Sequence, residues 1–398
     1  MLNIIKKNQA TISLIISSLL ASGGGFLYWV IAARRIKPEL IGTIFPIYST
    51  VTLLTAFTIL GFGQSVFTNF KNVNDKYIYL FKRLLILVSL TLLVILLYLT
   101  SRNYSLTQDI FITLIGFFLI CNIITTNAML SLKKQNYLFI EILSQVLVKL
   151  ISIIFIKPTA SGLLLSLTAS VFISSFLSFL TLIFLIKKEV KHNPTNITIK
   201  NELVLSLTSY ISNLFSIAPV ALLPIIALHS QGAVTTALLS ILTLFLPLFN
   251  MPTSMAMRTL YHEIQESKNI VKNILNTIYF LFPVLIAINL ITFYLGNYIL
   301  EFFGSFYAAN GTLTLRLLSL SATIALGNYL FDTVLLAKKL YLPYLLANIL
   351  GSIALIFTIF LGLTKTNYNI GYLWLFGQFT YSLIAGTLFF LYRKDIFK

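Results

Sequence analysis

The chain reads as a succession of long apolar runs separated by short polar connections. The runs cover about 10–33, 41–66, 84–100, 111–132, 137–156, 161–186, 203–228, 234–256, 274–299, 312–336, 341–362 and 371–392. Each is close to the length that a helix rising ~1.5 Å per residue needs to cross ~30 Å of hydrocarbon. Lipid cannot satisfy backbone polar groups, so each run is expected to be helical. The dyad alternation of a membrane barrel is absent. The pattern therefore predicts an all-α polytopic membrane protein with about 12 transmembrane helices.

Composition agrees, with 58% hydrophobic and 10% charged residues. Soluble domains carry about 25% charged residues, and a water-facing surface cannot be assembled from so few. The single cysteine, Cys121, lies inside an apolar run. It excludes an intrachain disulfide framework and reads as a small core hydrophobe. The first apolar run follows Lys6 and Lys7 and exceeds the apolar core of a signal peptide, so it is expected to be a retained span.

A net charge of +17 invites a nucleic-acid reading, but the distribution argues against one. Basic residues sit in short clusters between spans, with no basic stripe interleaved with aromatics. Twenty of the 28 fall on one set of connections and six on the other, while Lys149 and Arg316 lie within spans. The positive-inside rule then puts the larger set, and both termini, on the cytoplasmic side of the membrane.

All connections are short. The longest, Lys187–Glu202 with Asn193–Pro194, falls mid-chain. It suggests an N-terminal six-helix lobe over 1–190, a cytoplasmic linker over 191–202 and a C-terminal six-helix lobe over 203–398. Asn127, Leu130, Lys133 and Lys134 match Asp332, Leu335, Lys338 and Lys339 at a constant offset of 205, with Tyr137 and Tyr341 one residue out of step. An even number of spans per half makes this a parallel repeat.

Ionisable residues within spans are costly and so are candidates for function. Lys149 lies near the middle of the fifth span, too far from either end to snorkel. Glu141, Gln145 and Lys149 are spaced by four and form one polar stripe, which Ser152 extends. The stripe is expected to face a wet cavity in which Lys149 holds an anionic group, or else to pack against a neighbouring helix. Asp332, near the cytoplasmic end of the tenth span, is a candidate proton or cation site, as is Glu141; meeting Lys338 and Lys339 is the plainer role for Asp332. Arg316 fits snorkelling. Arg34 and Arg35 close the first span against the prevailing charge bias and could rim an anionic headgroup site. Asn213 shares the seventh span with Ser209, Ser212, Ser216, Pro219 and Pro224, so that span is expected to be bent and polar on one side. Gly23–Gly24–Gly25 fits close helix packing.

His192, His229 and His262 make no metal-ligand spacing. No phosphate-binding loop and no GxSxG nucleophile elbow occur. No metal, cofactor or catalytic residue is expected, and the protein is not read as an enzyme.

The segment GGGFLYWVIAARRIKPELIG, with Arg34 or Arg35, Pro38–Glu39 and Gly42, resembles the opening of the oligosaccharide-unit flippases of the multidrug/oligosaccharidyl-lipid/polysaccharide exporter superfamily. Gly61–Phe62–Gly63 is similar to that family's Gly-Leu-Gly. FFGSFYAANGTLTLRLLSLS resembles its Gly-x-x-Tyr segment through Gly304 and Tyr307, and LLAKKLYLPYLLANILG its turn between the tenth and eleventh spans. The resemblance implies two six-helix lobes around a cationic cavity in a bacterial cytoplasmic membrane. It also implies flipping of undecaprenyl-pyrophosphate-linked oligosaccharide units for O-antigen, lipopolysaccharide or capsule synthesis, alongside a polysaccharide polymerase and a chain-length regulator. A cation-coupled drug exporter of the same superfamily is the first rival. A membrane-embedded polysaccharide polymerase is the second, weakened by the lack of a long arginine-rich loop.

Overall fold

The computed structural model describes residues 9–59, 61–73, 75–101, 104–132, 134–188, 199–266, 269–365 and 369–396. Lys133 and most of the linker expected over 191–202 lie outside them, as do Lys6, Lys7 and His192. The described residues contain helices and no strand. In chain order these are α1 (Gln9–Arg35), α2 (Pro38–Thr58), α3 (Phe62–Asn69), α4 (Lys76–Thr100), α5 (Leu106–Ser131), α6 (Gln135–Phe155) and α7 (Ala160–Lys188). They continue with α8 (Ile199–Thr243), α9 (Phe245–Glu266), α10 (Ile270–Glu301), α11 (Ser305–Ala337), α12 (Tyr341–Lys365) and α13 (Ile370–Leu391), then the short α14 (Arg393–Ile396).

Among the described residues ten helical segments are long and apolar enough to cross a membrane, one of them the 56-residue stretch Tyr210–Gln265. Gly232 divides that stretch with a non-helical backbone of φ 79°, ψ 175°, a conformation open to glycine and costly for other residues. Counting it as two spans and adding α1 gives the twelve expected helices. The second span departs from expectation. Its helix stops at Thr58 rather than running to 66, because Gly61 turns into the left-handed region at φ 78° and α3 starts afresh.

Local chemistry sets several helix starts. Ser105 and Gln108 form a reciprocal capping box at α5, while Asp75, Asn269 and Asn369 accept from backbone N–H groups at the starts of α4, α10 and α13. Each occupies one of the donors a helix N-terminus leaves unpaired.

The chain folds as two compact units, 1–40 with 47–210 and 41–46 with 211–398. Within the first, α1 packs on α6, α7 on α5 and α6, and α4 on α5. Within the second, α13 packs on α11 and α12, and α10 on α11. Three of these pairings recur in both units. The turn closing α5 recurs in detail as well. Leu132 N–H donates to Ala128 and Lys134 N–H to Met129, while Lys338 N–H donates to Val334 and Leu340 N–H to Leu335. These are matching helix-ending bonds, at an offset of 206, one more than the sequence comparison takes.

Apolar clusters centred on Phe62, Phe70, Leu87 and Ile124 in one unit and Leu260, Leu281, Leu285 and Leu335 in the other hold the helices together. Large apolar side chains also cover the outside, including Phe155 and Phe280 at 82% and 66% exposure, as a bilayer-facing surface requires. Of the three adjacent glycines in α1, Gly24 permits the closest packing. A Cβ there would lie 2.4 Å from Val146 on α6.

Candidate functional site

Lys149 stands fifteen residues into α6 and is partly buried. Its ammonium lies 5.1 Å from the ring centroid of Tyr28 on α1 and 5.9 Å from that of Tyr48 on α2. Among the described residues it makes no ion pair and its ammonium donates no hydrogen bond. Ring faces attract a desolvated cation by about 2 kcal/mol or more, comparable to the ~2.5–3.5 kcal/mol that a lysine costs at a membrane helix centre. The site thus tolerates the charge without neutralising it. One turn earlier, Gln145 is also partly buried and its amide has no described partner. Below them Ser152 shares a 2.6 Å hydrogen bond with Ser166 on α7.

Glu141 does not join this group. It is 5% exposed, and its Oε1 accepts from Asn122 Nδ2 at 2.6 Å, Ser174 Oγ at 3.1 Å and Thr126 Oγ1 at 3.3 Å. Asn122 and Thr126 belong to α5 and Ser174 to α7, so the carboxyl ties three helices together. Asn122 also donates to Ser174 at 2.8 Å. The stripe expected from the sequence is therefore divided, with Lys149 turned to α1 and α2 and Glu141 to α5 and α7. Eight residues rotate a helix by about 80° past two full turns, enough to change neighbours.

Asp332 occupies a related knot in the second unit. Its Oδ2 accepts from Asn348 Nδ2 on α12 at 3.2 Å, and Asn348 Oδ1 accepts from the Tyr381 hydroxyl on α13 at 3.0 Å. Its Oδ1 is buried without a hydrogen-bond partner, and Tyr329 and Tyr344 stand alongside. Among the described residues Lys338 and Lys339 form no ion pair with it.

The remaining candidates stand on other helices. Arg34 and Arg35 are both exposed at the end of α1. Arg35 Nη1 donates to the carbonyls of Ile153 and Ile154, where α6 leaves its last acceptors unpaired and carries negative partial charge. Asn213 is exposed on α8, where its backbone carbonyl accepts from Ser216 Oγ at 2.9 Å, and among the described residues its side chain makes no hydrogen bond. Pro219 and Pro224 follow within the same helix, while the side chain of Ser209 lies outside the described residues. Within the first unit the structure thus groups Lys149 with Gln145 and gives Glu141 and Arg35 other partners, while Asn213 and Asp332 belong to the second unit.

Sequence reasoning misses Tyr28 and Tyr48 as the walls around Lys149, and Asn122, Asn348 and Tyr381 as partners of the acids. Asn122 and Asn348 carried a faint signal, being amides inside apolar spans where an unpaired amide is costly. Nothing marks Tyr28 or Tyr48 in a chain with 20 tyrosines.

No protein-family model matches the sequence, and no curated protein matches it significantly. Solved structures do. An inward-facing multidrug resistance MATE family transporter of the MOP superfamily superposes with a TM-score of 0.73 at 13% identity, over 97% of this chain and 98% of that one. An outward-facing MATE family transporter gives 0.68 at 14% identity, over 98% and 96%. A MOP superfamily transporter from Pyrococcus furiosus, described as having a binding pocket of reverse polarity that suggests a different function, gives 0.64 at 11% identity, over 98% and 97%. At these identities the likeness establishes the fold. The chain has the two-lobed polytopic architecture of MOP superfamily transporters.

Proposed function

We propose that this chain is a membrane transporter that moves an anionic amphiphile across the bilayer by alternating access, and that the cargo is an oligosaccharide unit carried on undecaprenyl pyrophosphate. The observation that carries the reading is the uncompensated cation of Lys149 held mid-span between two tyrosine rings. A diphosphate would supply the counter-charge that the described residues withhold, and Gln145 one turn away offers it an amide donor. Both acids are tied to amides and hydroxyls of their own unit, which leaves the cationic character of the Lys149 site undiluted. The transporter architecture shared with MOP superfamily structures supports the same reading, and the Pyrococcus furiosus neighbour is described as a case of altered pocket polarity with altered function. The six-helix lobes 1–190 and 203–398 would be the moving bodies, in a cytoplasmic membrane with both termini cytoplasmic. Polymerase and chain-length regulator would act on the exported unit. Arg34 and Asn213 are proposed as secondary contacts to its headgroup and sugars.

Loss of the gene in its native cell tests this. Extracted lipids should then contain undecaprenyl-linked single repeat units held on the inner leaflet, with surface polysaccharide lost. Normal polysaccharide together with new sensitivity to cationic dyes would instead support the second reading, a cation-coupled drug exporter. That alternative draws on Asp332, whose Oδ1 is buried and unpartnered and so could take a proton or a cation.

A further inference from the structure

A groove of about 550 Å³ runs between α10 and α11 in the second unit, within the range of ligand pockets. Its walls include Phe282, Leu290, Phe293 and Leu320, and Arg316 and Asn289 also line it. Counted back along α11, Arg316 is 22 residues from Lys338, or about 33 Å, close to one hydrocarbon thickness. The Lys338–Lys339 pair marks one interface, so Arg316 marks the other. Along α10, Phe282 is ten residues from Lys272, or about 15 Å. The groove therefore descends from headgroup level at Arg316 to mid-membrane at Phe282, the depth of one leaflet.

Arg316 is not disposed as a snorkelling side chain, which would reach outward and wet its head. Its guanidinium carbon lies 4.5 Å from the ring centroid of Phe293, on the groove wall. Its Nε is buried without a partner, and among the described residues its side chain makes no ion pair and no hydrogen bond. A planar fork of donors left open at headgroup level matches a phosphate bidentately. Asn289 adds a buried, unpartnered Oδ1 for a hydroxyl.

The first unit provides a partial comparison. Its groove of about 360 Å³ uses Phe81, Leu84, Leu85 and Val88 of α4, the same positions at an offset of 205 as Ile286, Asn289, Leu290 and Phe293 of α10. Arg316 corresponds to Ile110 or Phe111, depending on whether an offset of 206 or 205 is taken. The charged side chain lining a groove nearby in that unit is Asp109, of the opposite sign. The first-unit groove continues onto α7 through Phe172 and Phe176 and does not include Ile110 or Phe111, so it shares the α4 wall but not the end at which Arg316 stands.

We infer that the α10–α11 groove binds an anionic phospholipid of the outer leaflet, with its phosphate on Arg316 and one acyl chain along Leu290, Phe293 and Phe282. This site is separate from Lys149 and does not depend on the cargo proposed above. Native mass spectrometry of the purified full chain, titrated with phosphatidylglycerol and phosphatidylcholine of equal chain length, tests it. The wild type should retain phosphatidylglycerol at least about fivefold over phosphatidylcholine, and Arg316→Ala should bring that ratio to about one, in line with the loss of one charge-assisted pair. Leu290→Trp, which fills the slot with the guanidinium intact, should lower retention of both lipids. Lys149→Ala should leave the preference unchanged, which keeps a failure here distinct from a failure of the transport reading. An unaltered preference in Arg316→Ala, or its loss in Lys149→Ala, would overturn the assignment. Displacement of phosphatidylglycerol by an equimolar polyprenyl diphosphate would also overturn it, by giving the groove to the cargo lipid.

Discussion

The two units answer the same packing problem with the same three groups in different order. In the first, an amide on α5, an acid on α6 and a hydroxyl on α7 meet as Asn122, Glu141 and Ser174. In the second, the acid stands on α11, the amide on α12 and the hydroxyl on α13, as Asp332, Asn348 and Tyr381. Glu141 is the seventh residue of its helix and Asn348 the eighth of the corresponding one, so acid and amide have traded places at one corner. A corner of three membrane helices gains from a polar clasp because an unpaired polar group in hydrocarbon is expensive. What differs is saturation. Each acid keeps one buried oxygen without a hydrogen-bond partner, Glu141 Oε2 and Asp332 Oδ1, but the other oxygen receives three donors at Glu141 and one at Asp332. The first clasp is the more heavily bonded strut, and the second holds its acid by a single donor.

Substitutions can break that contrast. Glu141→Leu should have the largest effect on stability. It strands the Asn122 amide and two hydroxyls, each worth about 1–3 kcal/mol when buried unpaired, partly offset by re-pairing of Asn122 with Ser174. A loss of about 3 kcal/mol is expected in reversible denaturation in mixed micelles. Tyr381→Phe removes one hydrogen bond to Asn348 and should cost about 1 kcal/mol. Asp332→Asn should cost less than about 0.5 kcal/mol, because an amide keeps an acceptor for Asn348 and removes an under-satisfied carboxylate. If Asp332→Asn proved as damaging as Glu141→Leu, the two clasps would be equivalent struts and Asp332 would lose its candidacy as an ion site.

The spans were legible because hydrocarbon thickness dictates run length, and the repeated turn was legible because a lysine pair follows the fourth run as it follows the tenth, although the structure pairs Lys134 with Leu340. The break at Gly61 was not, since a left-handed glycine inside an apolar run leaves no trace in hydropathy. Lys149 stood out through the cost of its charge. Its surroundings did not, because Tyr28 and Tyr48 come from helices more than a hundred residues away and nothing in their local sequence marks them. The Glu141–Gln145–Lys149 stripe misled in part. A spacing of four keeps neighbours adjacent, but over eight residues the drift of the helix hands the two ends to different partners.

The central claim is that Lys149 supplies an uncompensated positive charge to an anionic cargo. It is tested most directly by the initial rate at which purified protein in proteoliposomes translocates a labelled oligosaccharide on polyprenyl pyrophosphate. Lys149→Ala should lower that rate at least about tenfold, equivalent to about 1.4 kcal/mol, with insertion and apparent melting unchanged, and Lys149→Arg should recover part of it. A wild-type rate in correctly inserted Lys149→Ala would contradict the account.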